Sequence, residues 1–224
     1  MILTPRFVFI HLHKSGGTFV NEALLAHVPG ARKLGHHVPA SLLPASHAGL
    51  PVLGVVRNPW EFYVSWFSFQ SERRTWLWQT FSEDGALDFD ATTRRMLCAG
   101  ERDDLIDRLI ELAPAEFPNR QMNLTKACLA ELRGRRHGWY TFLFLRMYAG
   151  LPVHFLRKEN LREELLDFLR KHEIDSPALE SHVRHAPLAN TTAHSPYREH
   201  YSPSLAGLLR EREREVVDRF EYRF

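Results

Sequence analysis

Phe7-Val8-Phe9-Ile10-His11-Leu12-His13-Lys14-Ser15-Gly16-Gly17-Thr18 is the stretch on which the fold turns. Residues 7–12 are mostly β-branched or aromatic and of strand length, which predicts a buried strand. The run breaks off at His13-Lys14-Ser15-Gly16-Gly17, and a helix is expected over residues 18–27, stopped by Pro29-Gly30. Strand, glycine turn and helix in this order make a phosphate-binding arrangement. The two glycines let the backbone approach an anion and adopt positive φ. Amides of the following helical turn point at the anion, and the helix dipole adds to the attraction. Thr18 supplies a hydroxyl and Lys14 a full charge that can reach a bridging oxygen. The order differs from the GxxxxGK[ST] pattern, because the lysine precedes the glycines and sits at the strand end. Taken alone, the turn also reads as a tight strand-to-helix connection with an exposed lysine.

Downstream, Pro51-Val52-Leu53-Gly54-Val55-Val56-Arg57 is a second near-continuous apolar run, as expected of a buried parallel strand. Asn58-Pro59 gives a helix N-cap followed by proline at the first helical position. Arg57 thereby falls at the carboxyl end of a strand, where ligands bind in open α/β sheets. Its guanidinium can fork onto a phosphate, and Ser65, two turns into the next helix, can complete that site. A surface salt bridge for Arg57 and an ordinary mid-helix serine are the alternatives. Residues 31–50 read as a loop. Residues 70–150 read as mostly helical, with breaks near Gly85, Gly100, Pro114, Pro118 and Gly134. Pro152-Val153-His154-Phe155-Leu156 is a third strand, followed by a helix with Leu161, Leu165, Phe168 and Leu169 on one face. Residues 173–196 read as another loop. A last helix carries Leu205, Leu208, Leu209, Val216, Val217 and Phe220, with the charge run 210–215 as its solvated face. Strands alternating with helices predict an α/β fold with a mainly parallel sheet flanked by helices.

The chain of 224 residues fits one α/β domain, with or without a small subdomain, and has 44% hydrophobic and 25% charged residues. Its 29 basic against 27 acidic side chains give a net charge of +2, which argues against non-specific nucleic-acid binding. Cys98 and Cys128 stand in no metal or redox spacing and read as reduced core cysteines, so a cytoplasmic location is expected. Residues 7–12 are too short for a signal peptide or a membrane span. Asn123-Leu124-Thr125 and Asn190-Thr191-Thr192 match the glycosylation triplet and read as chance matches.

Two motifs together carry a resemblance. His13-Lys14-Ser15-Gly16-Gly17-Thr18 resembles the 5′-phosphosulfate loop of the sulfotransferases that use 3′-phosphoadenosine 5′-phosphosulfate (PAPS). Arg57-Asn58-Pro59 with Ser65 resembles that family's 3′-phosphate motif. Leu156-Arg157-Lys158-Glu159-Asn160-Leu161 is similar to its strand-to-helix segment. Asn190 to Tyr201 with Phe220-Glu221-Tyr222-Arg223-Phe224 resembles the C-terminal stretch of carbohydrate-type and bacterial members, which usually have glycine where Glu221 stands. The resemblance implies a P-loop-like three-layer fold over residues 1–224, with 70–135 as a helical region for acceptor specificity. It implies PAPS as donor, adenosine 3′,5′-bisphosphate as product, and no metal. Lys14, Ser15, Gly16, Gly17, Thr18, Phe19, Arg57 and Ser65 are the implied donor-binding residues, with Arg198 from the C-terminal loop. The acceptor is a carbohydrate or another small molecule, and neither nucleic acid nor a membrane span is implied.

The chemistry so implied is an in-line displacement at sulfur, in which Lys14 stabilises charge on the leaving oxygen. The acceptor hydroxyl needs a base. His36 and His37, between the two motifs, are the candidates, His37 fitting the family's context better. An imidazole near its ordinary pKa of about 6.5 suits a general base at neutral pH. Trp60, Tyr63, Trp66, Phe67 and Phe69, with Trp76 and Trp78, form either an acceptor platform or a core-packed helix. Two other readings fit the same loop: a P-loop nucleotide kinase or NTPase, and a non-catalytic nucleotide-binding protein of the same fold.

Overall fold

The computed structural model describes residues 1–113, 124–187 and 195–224. Its β-sheet has five strands: β1 (Ile2–Leu3), β2 (Val8–Ile10), β3 (Arg32–Lys33), β4 (Val52–Val56) and β5 (Val153–Arg157). Their order is β3-β1-β2-β4-β5. The three expected strands lie side by side and parallel, with Val8 opposite Val52 and Val52 opposite Val153. The sheet as a whole is mixed, because β1 runs antiparallel to both β2 and β3. Two-residue strands carry no readable alternation, and β3 is an exposed Arg-Lys pair at the edge, so the sequence pattern shows neither.

The helices are α1 (Gly17–His27), α2 (Pro59–Arg73), α3 (Trp76–Phe81), α4 (Phe89–Leu97), α5 (Asp103–Leu112), α6 (Lys126–Ala130), α7 (Trp139–Tyr148), α8 (Leu161–Lys171), α9 (Pro177–His185), α10 (Pro203–Arg212) and α11 (Arg214–Arg219). Among the described residues, no helix is long and apolar enough to cross a membrane. The Asn58 side chain accepts from the Trp60 amide and Pro59 opens α2, as the sequence predicts. Two expectations are corrected. The stretch 173–196 is no continuous loop, since Ser176 caps α9 through the Leu179 amide with Pro177 at its start. The last helix is two helices broken at Glu213, and the charge run there is not wholly solvated, because Glu213 is fully buried.

The described residues form two units. The first comprises residues 1–57 and 145–187 and holds the sheet with α1, α8 and α9. One face of that sheet presents Phe9, Leu53, Val55 and Leu156 to Phe19, Val20 and Leu24 of α1, to Leu165 and Phe168 of α8, and to Leu179 and Val183 of α9. On the other face Tyr148, at the end of α7, lies under Gly54, where a Cβ would come within 2.8 Å of its ring. The Tyr148 hydroxyl donates to the Ile10 carbonyl at 3.2 Å, pinning β2 beside β4. Glycine at position 54 therefore makes room for a ring that braces two strands.

The second unit comprises residues 58–113, 124–144 and 195–224 and is helical. At its centre the Glu213 carboxylate accepts from the Tyr63 hydroxyl, from the Thr141 hydroxyl and from the amides of Tyr140 (3.2 Å) and Thr141 (2.7 Å) at the start of α7. Burial raises the pKa of this carboxyl, while the hydrogen bonds oppose the shift. Such a group is tolerated only because each oxygen is satisfied. Trp60, Tyr63, Trp66 and Trp78 are buried, and Trp66 packs edge-on against Phe81. Of the two readings of the aromatic cluster, core packing describes these side chains. Cys128 is buried and Cys98 half-buried, both as free thiols.

Candidate functional site

Each of the three parallel strands ends in cationic residues. After β2 the chain turns through His13-Lys14-Ser15-Gly16 into α1. Arg57 directly follows β4, while Arg157 closes β5 and Lys158 follows it. Because neighbouring parallel strands end on the same edge, Lys14, Arg57, Arg157 and Lys158 are gathered at the carboxyl edge of the sheet.

The turn is held in a conformation that most residues avoid. Lys14 has φ 53° and Gly16 has φ 83°, both left-handed. Gly16 is the N-cap of α1 and offers no side chain to the first-turn amides, and that turn has no acidic residue. Both features suit an anion at this helix end. Ser15 is fully buried, and its hydroxyl donates to the His13 carbonyl at 3.1 Å, so it braces the turn from within. Arg57, 6% exposed, donates from Nη1 to the Lys14 carbonyl at 2.9 Å. The two sequence motifs are thus physically coupled, since the arginine of one fixes the lysine backbone of the other. Lys158 joins them: a Cβ at Gly16 would lie 3.4 Å from its Cγ and 3.1 Å from Leu161 Cδ2. The sequence motifs assign no donor contact there, although Lys158 follows the end of β5 just as Arg57 follows the end of β4.

Gly17 has a different reason to be glycine. A Cβ there would fall 2.1 Å from His11 Cδ2. The His11 ring cannot retreat easily, being 4% exposed with Nδ1 bonded to Asn21 Nδ2 at 3.0 Å. Gly17→Ala is therefore expected to destabilise the chain by about 1–3 kcal/mol through overpacking. At roughly 2–4 °C per kcal/mol for a chain of this size, calorimetry should register the loss. An unchanged Tm would show that α1 can shift away from β2.

Four histidines cluster behind the turn. The ring centroids of His13 and His37 are 3.6 Å apart with planes 12° from parallel, and His11 lies 4.5 Å from His37. His37 sits at φ 36° and its Nδ1 is 2.9 Å from the His11 carbonyl oxygen. A carbonyl only accepts, so Nδ1 carries the proton and the neutral ring keeps its lone pair on Nε2. His36 differs, because the Lys33 ammonium donates to its Nε2. Burial, then the neighbouring His13 and His11, hold the His37 pKa well below the ordinary 6.5, which corrects the expectation of an unperturbed base. Burial alone takes His13 down to about 3, and His36 is lowered by burial and by Lys33. Among the described residues, no group of three or more His, Cys, Asp or Glu is arranged to hold a metal ion.

Of the residues singled out in the sequence, Lys14, Ser15, Gly16, Gly17, Thr18, Phe19, Arg57, His36 and His37 all belong to the first unit. The Phe19 ring is in the core under the Arg162 guanidinium, 4.9 Å away, so only its amide belongs to the turn. Ser65 and Arg198 belong to the second unit. Ser65 is 3% exposed on α2, and Arg198 stacks over Tyr197 and Phe224 at 4.9 and 5.9 Å. Asn123 and the first part of the C-terminal stretch, residues 190–194, lie outside the described residues. In comparisons with known proteins, the chain matches no family model and no curated sequence significantly.

Proposed function

We propose that this chain is a sulfotransferase that moves a sulfuryl group from PAPS to an acceptor hydroxyl, on a P-loop-like α/β fold. The observation that carries the reading is the coupled turn. A left-handed lysine and a glycine-capped helix form a cradle for an anion, and the Arg57 guanidinium holds it from the end of the neighbouring strand. A further support is Glu221, which adopts φ 53° where the resembling family usually has glycine, the residue to which that conformation comes free.

In this reading the amides of Gly16, Gly17 and Thr18 receive the 5′-phosphosulfate, with Lys14 beside the bridging oxygen. Arg57 is the donor contact that the family pattern adds within this unit, and Lys158 is a further cation at the same turn. As the acceptor oxygen bonds to sulfur, the bond from sulfur to the 5′-phosphate oxygen breaks. The leaving oxygen keeps the electron pair, and the acceptor proton passes to His37 Nε2. The products are the sulfated acceptor and adenosine 3′,5′-bisphosphate.

Thermal shift with nucleotides tests the reading. Adenosine 3′,5′-bisphosphate at a hundredfold excess over its Kd should stabilise the chain by about 2.7 kcal/mol. ATP with magnesium should not, and adenosine 5′-monophosphate should do so only at higher concentration. Stabilisation by ATP with magnesium alone would favour a nucleotide kinase or NTPase. Bisphosphate binding without sulfuryl transfer to any acceptor class, read by mass spectrometry, would favour a non-catalytic binding protein.

A further inference from the structure

The mechanism assigns His37 a role but leaves open what keeps its ring in the productive state. An imidazole in a loop can rotate about χ1 and χ2, and either nitrogen can carry the proton. Free in water, the two neutral tautomers interchange readily, and only a fixed partner for one nitrogen selects between them. Here the partner is the His11 carbonyl, 2.9 Å from Nδ1. A hydrogen bond of that kind needs the ring plane to stay in line with the carbonyl, and it weakens steeply as the angle closes.

A second ring lies against this plane. His13 lies flat against His37 at 3.6 Å, 12° from parallel. Among the described residues, its two ring nitrogens are shielded from solvent and have no hydrogen-bond partner. A buried polar ring without partners is costly, and its presence calls for an explanation. Among the described residues, the His13 ring is engaged not by hydrogen bonds at its nitrogens but by its flat face against His37. His37 itself is kept at φ 36°, a backbone state that side-chain-bearing residues rarely hold unless their surroundings impose it. The surroundings also include His11, whose Nδ1 accepts from Asn21 and whose proton therefore sits on Nε2, packed against Gly17. His36 lies 6.1 Å from His37 and is engaged by Lys33.

We propose that His13 is a positioning residue: its imidazole, stacked on His37, holds the Nδ1–H of His37 on the His11 carbonyl and so leaves Nε2 as the proton acceptor. The role in catalysis rests on the sulfotransferase reading, whereas the geometry does not. What the stack needs is a flat ring, not an imidazole. Phenylalanine at position 13 should preserve it and alanine should destroy it. The same substitution pair separates positioning from catalysis, because a phenyl ring cannot exchange protons.

Long-range proton–nitrogen correlation spectra of histidine-labelled protein at neutral pH test this. The His37 signals are assigned by their loss in His37→Asn, and folding is checked on the amide spectrum of each variant. In the wild type, His37 should show the pattern of the Nδ1–H tautomer. His13→Phe should keep it, and His13→Ala should lose it in favour of the Nε2–H form or an averaged pattern. If His13→Ala does not fold, His13→Leu, which fills the space without a flat ring, should show the same loss. An Nε2–H pattern in the wild type, or an unchanged Nδ1–H pattern in the alanine or leucine variant, would overturn the proposal. Titrating each sample with adenosine 3′,5′-bisphosphate keeps the two readings apart. Binding together with the wrong tautomer sinks the role of His13 alone. The expected tautomers without any binding sink the sulfotransferase reading, and with it the catalytic use of His37.

Discussion

Lys14→Ala is expected to lower kcat for sulfuryl transfer by about 10²–10³-fold, the usual cost of removing one preorganised group from the developing charge of a transition state. In the proposed transfer, negative charge grows on the oxygen that leaves toward the 5′-phosphate, so a contact there is worth more in the transition state than in the bound donor. The donor KM should therefore rise by less than kcat falls. The structure makes this substitution clean. The Lys14 backbone, at φ 53° with its carbonyl bonded to Arg57, is common to lysine and alanine, so the turn keeps its anchor when the side chain is removed. Lys14→Arg should recover only part of the loss, since a planar guanidinium replaces a compact ammonium. Steady-state kinetics with varied PAPS decide the matter. A normal kcat with only a raised KM would reduce Lys14 to a ground-state phosphate contact.

The elements that position this site are the ones the sequence announces most loudly. β2, β4 and β5 are apolar runs bounded by turn residues, and the Asn58-Pro59 cap is a local device that needs no tertiary context. What stays hidden depends on distant partners. β1 is two residues long and becomes a strand only by pairing with β2 and β3. Ser176-Pro177 is the same kind of start signal as Asn58-Pro59, yet α9 escapes notice because its described buried face is only Leu179 and Val183. Glu213 looks like one more charge in a polar run, and only the donors supplied by Tyr63, Tyr140 and Thr141 explain its burial. The site divides in the same way. Lys14, Gly16 and Arg57 are legible as types at strand ends. The contact of Arg57 with the Lys14 carbonyl, the stem of Lys158 over Gly16 and the stack of His13 on His37 are not, because residues far apart in sequence meet only through the sheet pairing and the loops it sets side by side. The depressed pKa of His37 is hidden for the same reason, since its causes are burial and two histidines of the segment that follows β2.

His37→Ala should cost about 10²–10⁴ in turnover, the range for loss of a positioned general base, while binding of adenosine 3′,5′-bisphosphate stays intact. His36→Ala should cost less, because the His36 Nε2 already accepts from Lys33. The pH dependence carries the sharper test. In the proposed mechanism the neutral imidazole is the active form, so kcat/KM should rise with pH through the pKa of the imidazolium. Burial and the neighbouring histidines lower that pKa well below 6.5. The rising limb should accordingly lie on the acid side of 6.5, leaving a plateau over roughly pH 6.5–8, and should vanish in His37→Ala. The same shift makes His37 a weak base, unable to ionise an alcohol in advance. The proton must leave the acceptor oxygen as its bond to sulfur forms, when that oxygen is becoming far more acidic. A rising limb at or above 6.5 that survives in His37→Ala would place the base elsewhere. Near-normal turnover of His37→Ala on an ordinary high-pKa hydroxyl acceptor would remove His37 from the reaction.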